Sequence, residues 1–204
     1  MKKYIFEFSI SIGLIIALSL GAYAKDRQAD IAGKLIRLHV IANSDSEEDQ
    51  ALKLCVRDAV LSVVTEKTRG AKSVSEARGI LLESLDEINA KAQAEIKKRG
   101  YSYTSSTAFE NVYFPTKEYD SFSLPAGDYD ALRVIIGDGV GKNWWCVLFP
   151  PLCVSAAEDT SELARSAGLD DEEIKIISSD NIEYKFKFKI VELINRAAHK
   201  IKTR

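Results

Sequence analysis

The sequence predicts an α+β fold: a mostly antiparallel sheet with two long helices packed on it and a C-terminal helix. Three observations predict it. Two stretches between Glu47 and Arg99 repeat apolar residues at helical spacing. Four segments after Gly100 are aromatic or β-branched and are separated by turn residues. No internal repeat or long linker divides the body, so residues 25–204 read as a single domain. At 204 residues, 46% hydrophobic and 28% charged, the chain has a globular balance and enough length to bury one core.

Residues 1–24 read as a signal peptide. Lys2 and Lys3 supply a positive start, Ile10 to Leu20 an apolar run, and Ala22-Tyr23-Ala24 the small residues at the positions a signal peptidase reads. The run falls short of the roughly 20 residues that span a bilayer comfortably. An uncleaved N-terminal anchor is the alternative. Either way the folded part is expected outside the cytoplasm.

Leu35 to Ala42 is rich in branched residues and reads as a strand. The polar run Asn43 to Asp49 follows, where Ser44 with Glu47 or Ser46 with Asp49 fits a helix N-cap. From Glu47 to Lys67, Leu52, Cys55, Ala59 and Val63 mark a helix, which Gly70 ends. Ser73-Val74-Ser75-Glu76 opens a second helix. Val74, Ala77, Leu81, Leu85, Ile88, Ala92 and Ile96 form one continuous apolar face on it, and Gly100 stops it.

Tyr101–Pro115, Tyr119–Leu124, Tyr129–Ile136 and Asn143–Phe149 are the expected strands. The last two should pair as a hairpin across the glycine loop 137–142, and Pro150-Pro151 should end the sheet. Glu158 to Gly168 suggests a short helix and Asp170 to Glu173 a turn or helix start. Phe186, Ile190, Ile194, Ala197 and Ile201 fit a terminal amphipathic helix, although Tyr184, Phe186 and Phe188 alternate as in a strand.

Several function classes fail on the inventory. A formal charge of −2 provides no general attraction for nucleic acid. Two histidines and three cysteines cannot build a four-cysteine or His-rich metal site. The run GDGVGKN lacks phosphate-loop spacing. Asn43, Asp45, Glu47 and Asp49 alternate like the start of a calcium loop, but no glycine stands at its sixth position and no acid closes it. No cofactor, metal or catalytic residue is therefore assigned. His39 beside Asn43, Ser44 and Asp45 is the one hydrolytic candidate, and it lacks a nucleophile elbow.

Cys146 and Cys153 are seven apart across the diproline. Outside the cytoplasm they form a candidate disulfide, with two buried thiols as the alternative. Cys55 is left over on what reads as the inner face of the helix. Trp144 and Trp145 point to opposite faces of a strand, so one is expected in the core and the other accessible to a partner. The terminal segment 183–204 is basic and reads as a solvated helix face, with an anionic membrane surface as the alternative.

Three stretches, LIRLHVIANSDSEEDQALKLCVRDAV (35–60), LPAGDYDALRVIIGDGVG (124–141) and NWWCVLFPPLC (143–153), resemble the stage II sporulation protein R family of endospore formers. Cys55 departs from the lysine typical of the family. The resemblance implies a secreted sporulation signal, exported from the forespore into the space between the forespore and mother-cell membranes. There it would activate a membrane-embedded aspartic protease that processes the sigma-E precursor. The protein would then be a ligand and not an enzyme, with its N-terminal segment as the expected place of membrane contact. The expected receptor surface combines His39, Asn43, Ser44, Asp45, Trp144 and Trp145. The competing expectations are an extracytoplasmic hydrolase using His39 and a membrane-anchored structural protein of the envelope.

Overall fold

The computed structural model describes residues 2–119, 122–152, 160–166 and 168–178. Helix α1 (Lys2–Gly33) leads into strand β1 (Ile36–Ile41), followed by α2 (Glu47–Thr68), α3 (Val74–Glu83) and α4 (Leu85–Lys98). Strand β2 (Ser105–Phe114) precedes a two-stranded ribbon, β3 (Lys117–Glu118) with β4 (Ser123–Leu124). Strands β5 (Gly127–Ile136) and β6 (Asn143–Phe149) and the short helices α5 (Thr160–Ser166) and α6 (Asp171–Ile177) complete the described chain.

The main sheet has the order β2-β5-β1-β6. Strand β1 runs parallel to β5 and antiparallel to β6, while β2 and β5 are antiparallel. The α+β class holds, and the sheet is mixed. The expected β5–β6 hairpin does not form, because β1 lies between the two strands. All six residues of β1 are buried, and a strand with no solvated face gains most from the centre of a sheet. Loop 137–142 therefore crosses over the end of β1 instead of making a tight turn.

Alternation sends Ile36, Leu38 and Val40 to the helix side, where they meet Leu132 and Val134 of β5 and Leu52, Val56, Val60 and Val64 of α2. Ile88, Ala92 and Ile96 of α4 close the same core. The inward row of α2 thus runs through positions 52, 56, 60 and 64, and Cys55, Ala59 and Val63 flank it half-buried. Cys55 is a free thiol at the border of the core and not within it.

The second predicted helix keeps its apolar face but is divided at Ser84, whose φ and ψ of −100° and 4° leave helical geometry. Its N–H still bonds to the Ile80 and Leu81 carbonyls, while Asp86 and Glu87 sit in the favourable first turn of α4. The segment expected as a strand from Tyr119 to Leu124 contributes only β4, and Tyr119 N–H closes onto the Phe122 carbonyl at 2.7 Å.

The other sheet face is covered by Ile31 and Ala32 from the end of α1, by Phe122 and Leu124, and by Ala164, Leu169, Ile176 and Ile177 of the last helices. Asp170 and Glu173 form a reciprocal capping box on α6, and the buried Glu173 carboxylate also takes the Lys34 ammonium at 2.6 Å. Helix α1 thus has two characters. Gln28, Ile31 and Ala32 are buried on the domain, whereas Phe8, Ile12, Leu14, Ile15 and Ile16 are exposed. The stretch Glu7–Gly33 is long and apolar enough to cross a membrane by length and composition. The terminal amphipathic segment and Cys153 lie outside the described residues.

Candidate functional site

The sequence candidates fall into two networks that meet at Lys142 and Asn143. The first is the polar run after β1. Ser46 caps α2 by accepting from Asp49 N–H at 3.2 Å. Asp49 is itself buried, and its carboxylate receives the Ser44 hydroxyl at 2.6 Å and the Asn43 amide at 2.8 Å. Burial alone would raise its pKa, but hydrogen bonds from Ser44, Asn43 and Tyr103 outweigh that and hold it below the usual carboxylate value.

These same residues clamp the crossover loop. Asn43 Oδ1 accepts from Asp138 N–H at 3.0 Å, and Asp45 Oδ1 accepts from Lys142 N–H at 2.7 Å. The buried Lys53 donates to the Lys142 carbonyl at 3.0 Å and to Gln50 at 2.6 Å. Burial pushes the Lys53 pKa down. Gly137 has φ +56°, and a Cβ there would collide with the Asn43 amide, which is why this crossing needs glycine. Beyond the clamp, Val140 stands 76% exposed at the tip of the loop.

The second network lies on the sheet face opposite α2 and α4. His39 registers with Arg133 on β5 and with Trp145 on β6. Its ring stacks on Trp145 at 3.9 Å, and Nε2 lies 2.8 Å from Asn143 Oδ1. The amide oxygen can only accept, so Nε2 carries the proton and Nδ1 keeps a lone pair. Nδ1 is buried without a partner. Burial, with lesser contributions from Arg133 and Arg37, pushes the His39 pKa down to about 4, so the imidazole is neutral at physiological pH.

Arg37, two residues earlier on the same face, is fully buried. Its guanidinium lies 4.0 Å from the Phe114 ring centre and 4.9 Å from that of Tyr129, and Nη2 donates to Tyr119 Oη at 2.6 Å. Its Nε and Nη1 find no partner, and no carboxylate among the described residues acts on it. Desolvation lowers its pKa, and the phenol oxygens of Tyr119 and Tyr129 partly offset this. Burial pushes the Tyr129 phenol up to about 12.

The structure thus brings His39 and Trp145 into contact and places Asn43, Ser44 and Asp45 in the separate clamp. Trp144 faces the helix side, half-buried, under the Arg57 guanidinium at 4.3 Å. Both tryptophans are half-buried, so the expected division into one core and one free ring does not occur. Cys146 is buried, and its proposed partner Cys153 falls outside the described residues. Sequence reasoning missed Arg37 and Asn143. Arg37 was detectable, since strand alternation puts it on the same face as His39, and Asn143 belongs to the quoted β6 motif.

The part of the chain carrying both networks is also the part that known proteins share. The sequence model of the family described as stage II sporulation protein R (spore_II_R) matches residues 32–159. The chain belongs to this family. It is 40% identical over 161 residues to the stage II sporulation protein R of Bacillus subtilis (strain 168), covering 75% of this chain and 71% of that protein. No solved structure matches it. Membership of the stage II sporulation protein R family gives the chain a role in sporulation. The matched stretch opens at Ala32, where α1 docks, and takes in the whole four-stranded sheet with α2, α3 and α4.

Proposed function

We propose that this sporulation protein is a signalling ligand without catalysis of its own. It is secreted from the forespore into the space between the forespore and mother-cell membranes. There it activates a membrane-embedded aspartic protease that processes the sigma-E precursor. One observation carries this choice over a hydrolase: the candidate nucleophile and base are not brought together. The Ser44 hydroxyl donates to Asp49 in the clamp, whereas His39 lies in the other network, where its one lone pair, on Nδ1, is buried without a partner. The exposed apolar stretch of α1 supports export, with residues 1–24 as the signal segment. A Cys146–Cys153 disulfide would suit that compartment.

An activating ligand must bind the receptor's active state better than its inactive state. Moving a receptor from 1:99 to 99:1 takes a difference of about 5.5 kcal/mol. The surface proposed for that contact is the end of the sheet where the two networks meet: Val140, Lys142, Asn143 and Asp45, with Trp145 beside them and His39 supporting Trp145 from beneath. The test is expression in sporulating Bacillus subtilis lacking its own stage II sporulation protein R. The intact chain should restore sigma-E precursor processing, and a chain deleted for residues 1–24 should not. Equal processing by the deleted chain overturns the ligand assignment. Wild-type processing by a Val140→Asp, Lys142→Glu double variant overturns the surface.

A further inference from the structure

The two edges of the sheet are built differently. Strand β6 is followed by Pro150-Pro151 and has a register irregularity against β1 between Ile36 and Arg37. Strand β2 is the other edge, and its ten residues pair with β5 through ten successive positions without a shift. Between Ser105 and Phe114 it has no lysine, arginine or proline, and its single charge is Glu110. Edge strands ordinarily carry such residues or a bulge to prevent further pairing. This one is long and regular, and no strand among the described residues pairs with its outer side.

The direction of its hydrogen bonds is fixed at one end. Gly137 N–H, just beyond β5, donates to the Thr104 carbonyl at 2.8 Å, so even positions bond towards β5. Ser105 N–H instead donates outwards to Gln93 Oε1 at 2.8 Å. The backbone groups of Thr107, Phe109 and Asn111 therefore point away from the sheet, and among the described residues no strand pairs with them.

We infer that β2 is a self-association edge, at which a second copy of this chain pairs antiparallel about a two-fold axis through Phe109. The occupant follows from register. Centring on Phe109 sets Thr107 against Asn111, Phe109 against Phe109 and Asn111 against Thr107. All three outward positions are used, giving about six hydrogen bonds. Centring on Thr107 would need the Ser105 N–H that Gln93 holds.

Side chains agree with the Phe109 register. On the helix side two half-buried Phe109 rings meet, each near its own Arg78. On the opposite side the exposed Ala108 of each copy faces Glu110 of the other, and no like charges are opposed. A strand edge alone falls below the roughly 1,200 Å² of stable specific interfaces, so the dimer is concentration-dependent.

The test is sedimentation equilibrium of the full chain in mild detergent across the micromolar range. Wild type should pass from monomer to dimer with concentration. Asn111→Pro, which removes an outward N–H at an exposed position, should remain monomeric. Ala108→Glu opposes carboxylates twice and should weaken the dimer by roughly three- to tenfold, and Ala108→Lys should tighten it by a similar factor. Circular dichroism and melting confirm that each variant is folded; should Asn111→Pro unfold, the two Ala108 variants decide alone. A wild type that stays monomeric throughout, or a dimer indifferent to Ala108 charge, overturns the inference. Indifference would place any association in the apolar helix α1.

Discussion

Strand β1 divides two interiors of opposite chemistry. On the helix side Ile36, Leu38 and Val40 enter a core made of aliphatic side chains from β5, α2 and α4. On the other side the same strand buries Arg37 and His39 among Phe114, Tyr129 and Trp145. The first interior is stabilised by apolar surface leaving water, about 25 cal/mol per Å². The second contains a guanidinium with no described carboxylate and an imidazole with a bare nitrogen, both of which oppose burial. Aromatic faces and single hydrogen bonds offset part of that cost. Adjacent residues of one strand thus do different work: the helix side holds the molecule together, and the aromatic side positions Trp145 next to the surface proposed for contact.

The sharpest way to break this contrast is Leu38→Ala. Truncating a fully buried leucine at the centre of the sheet should cost about 2–5 kcal/mol in a denaturant titration. A loss below 1 kcal/mol would mean that the aliphatic side is not the source of stability.

The next effect comes from pH. His39 prefers to be neutral in the fold, where its pKa is about 4, and titrates near 6.5 when unfolded. Its stabilising contribution is complete above pH 6.5 and is lost as pH falls from there through 4. The loss is on the order of 2 kcal/mol and at most about 3. Stability measured against pH should fall across that window, and His39→Gln should flatten it. A slope retained in His39→Gln would assign the acid sensitivity elsewhere. Asp49, whose pKa is depressed, acts in a separate window, losing its contribution only below its unfolded value of 3.8.

The smallest effect tests the aromatic side directly. Arg37→Met removes a buried charge while keeping its volume, so stability should change by less than about 1 kcal/mol or rise. A loss near that of Leu38→Ala would make the guanidinium a structural keystone, with its ring contacts dominating.

Local features were legible in the sequence because short-range chemistry produces them. The Ser46 cap, the apolar face from Ala77 to Ile96 and the Asp170 helix start each depend on residues within a few positions. The interruption at Ser84 left no trace in that face, since Ile88, Ala92 and Ile96 stay inward on either account. The phase of α2 was misjudged because Cys55, Ala59 and Val63 are as apolar as the true row at 56, 60 and 64. Strand order was illegible for a different reason: the partners of Ile41 are Ile135 and Asn143, and periodicity says nothing about residues so distant. His39 was found as a candidate, but its lack of a free proton donor depends on Asn143 across that same pairing. The clamp was seen as capping alone, since the loop it grips arrives much later in the chain.

The crossing of loop 137–142 over β1 has a consequence for assembly. A ribosome delivers β1 early, yet both of its neighbours are made near the end, and they enclose it from either flank. Any polypeptide stopped before Gly127 has β1 against α2 and α4 with neither of its strand neighbours, and one stopped before Asn143 has only one of the two. The sheet around β1 is therefore closed only once Asn143–Phe149 has been made, and an unfinished copy lacks the sheet end at which the two networks meet.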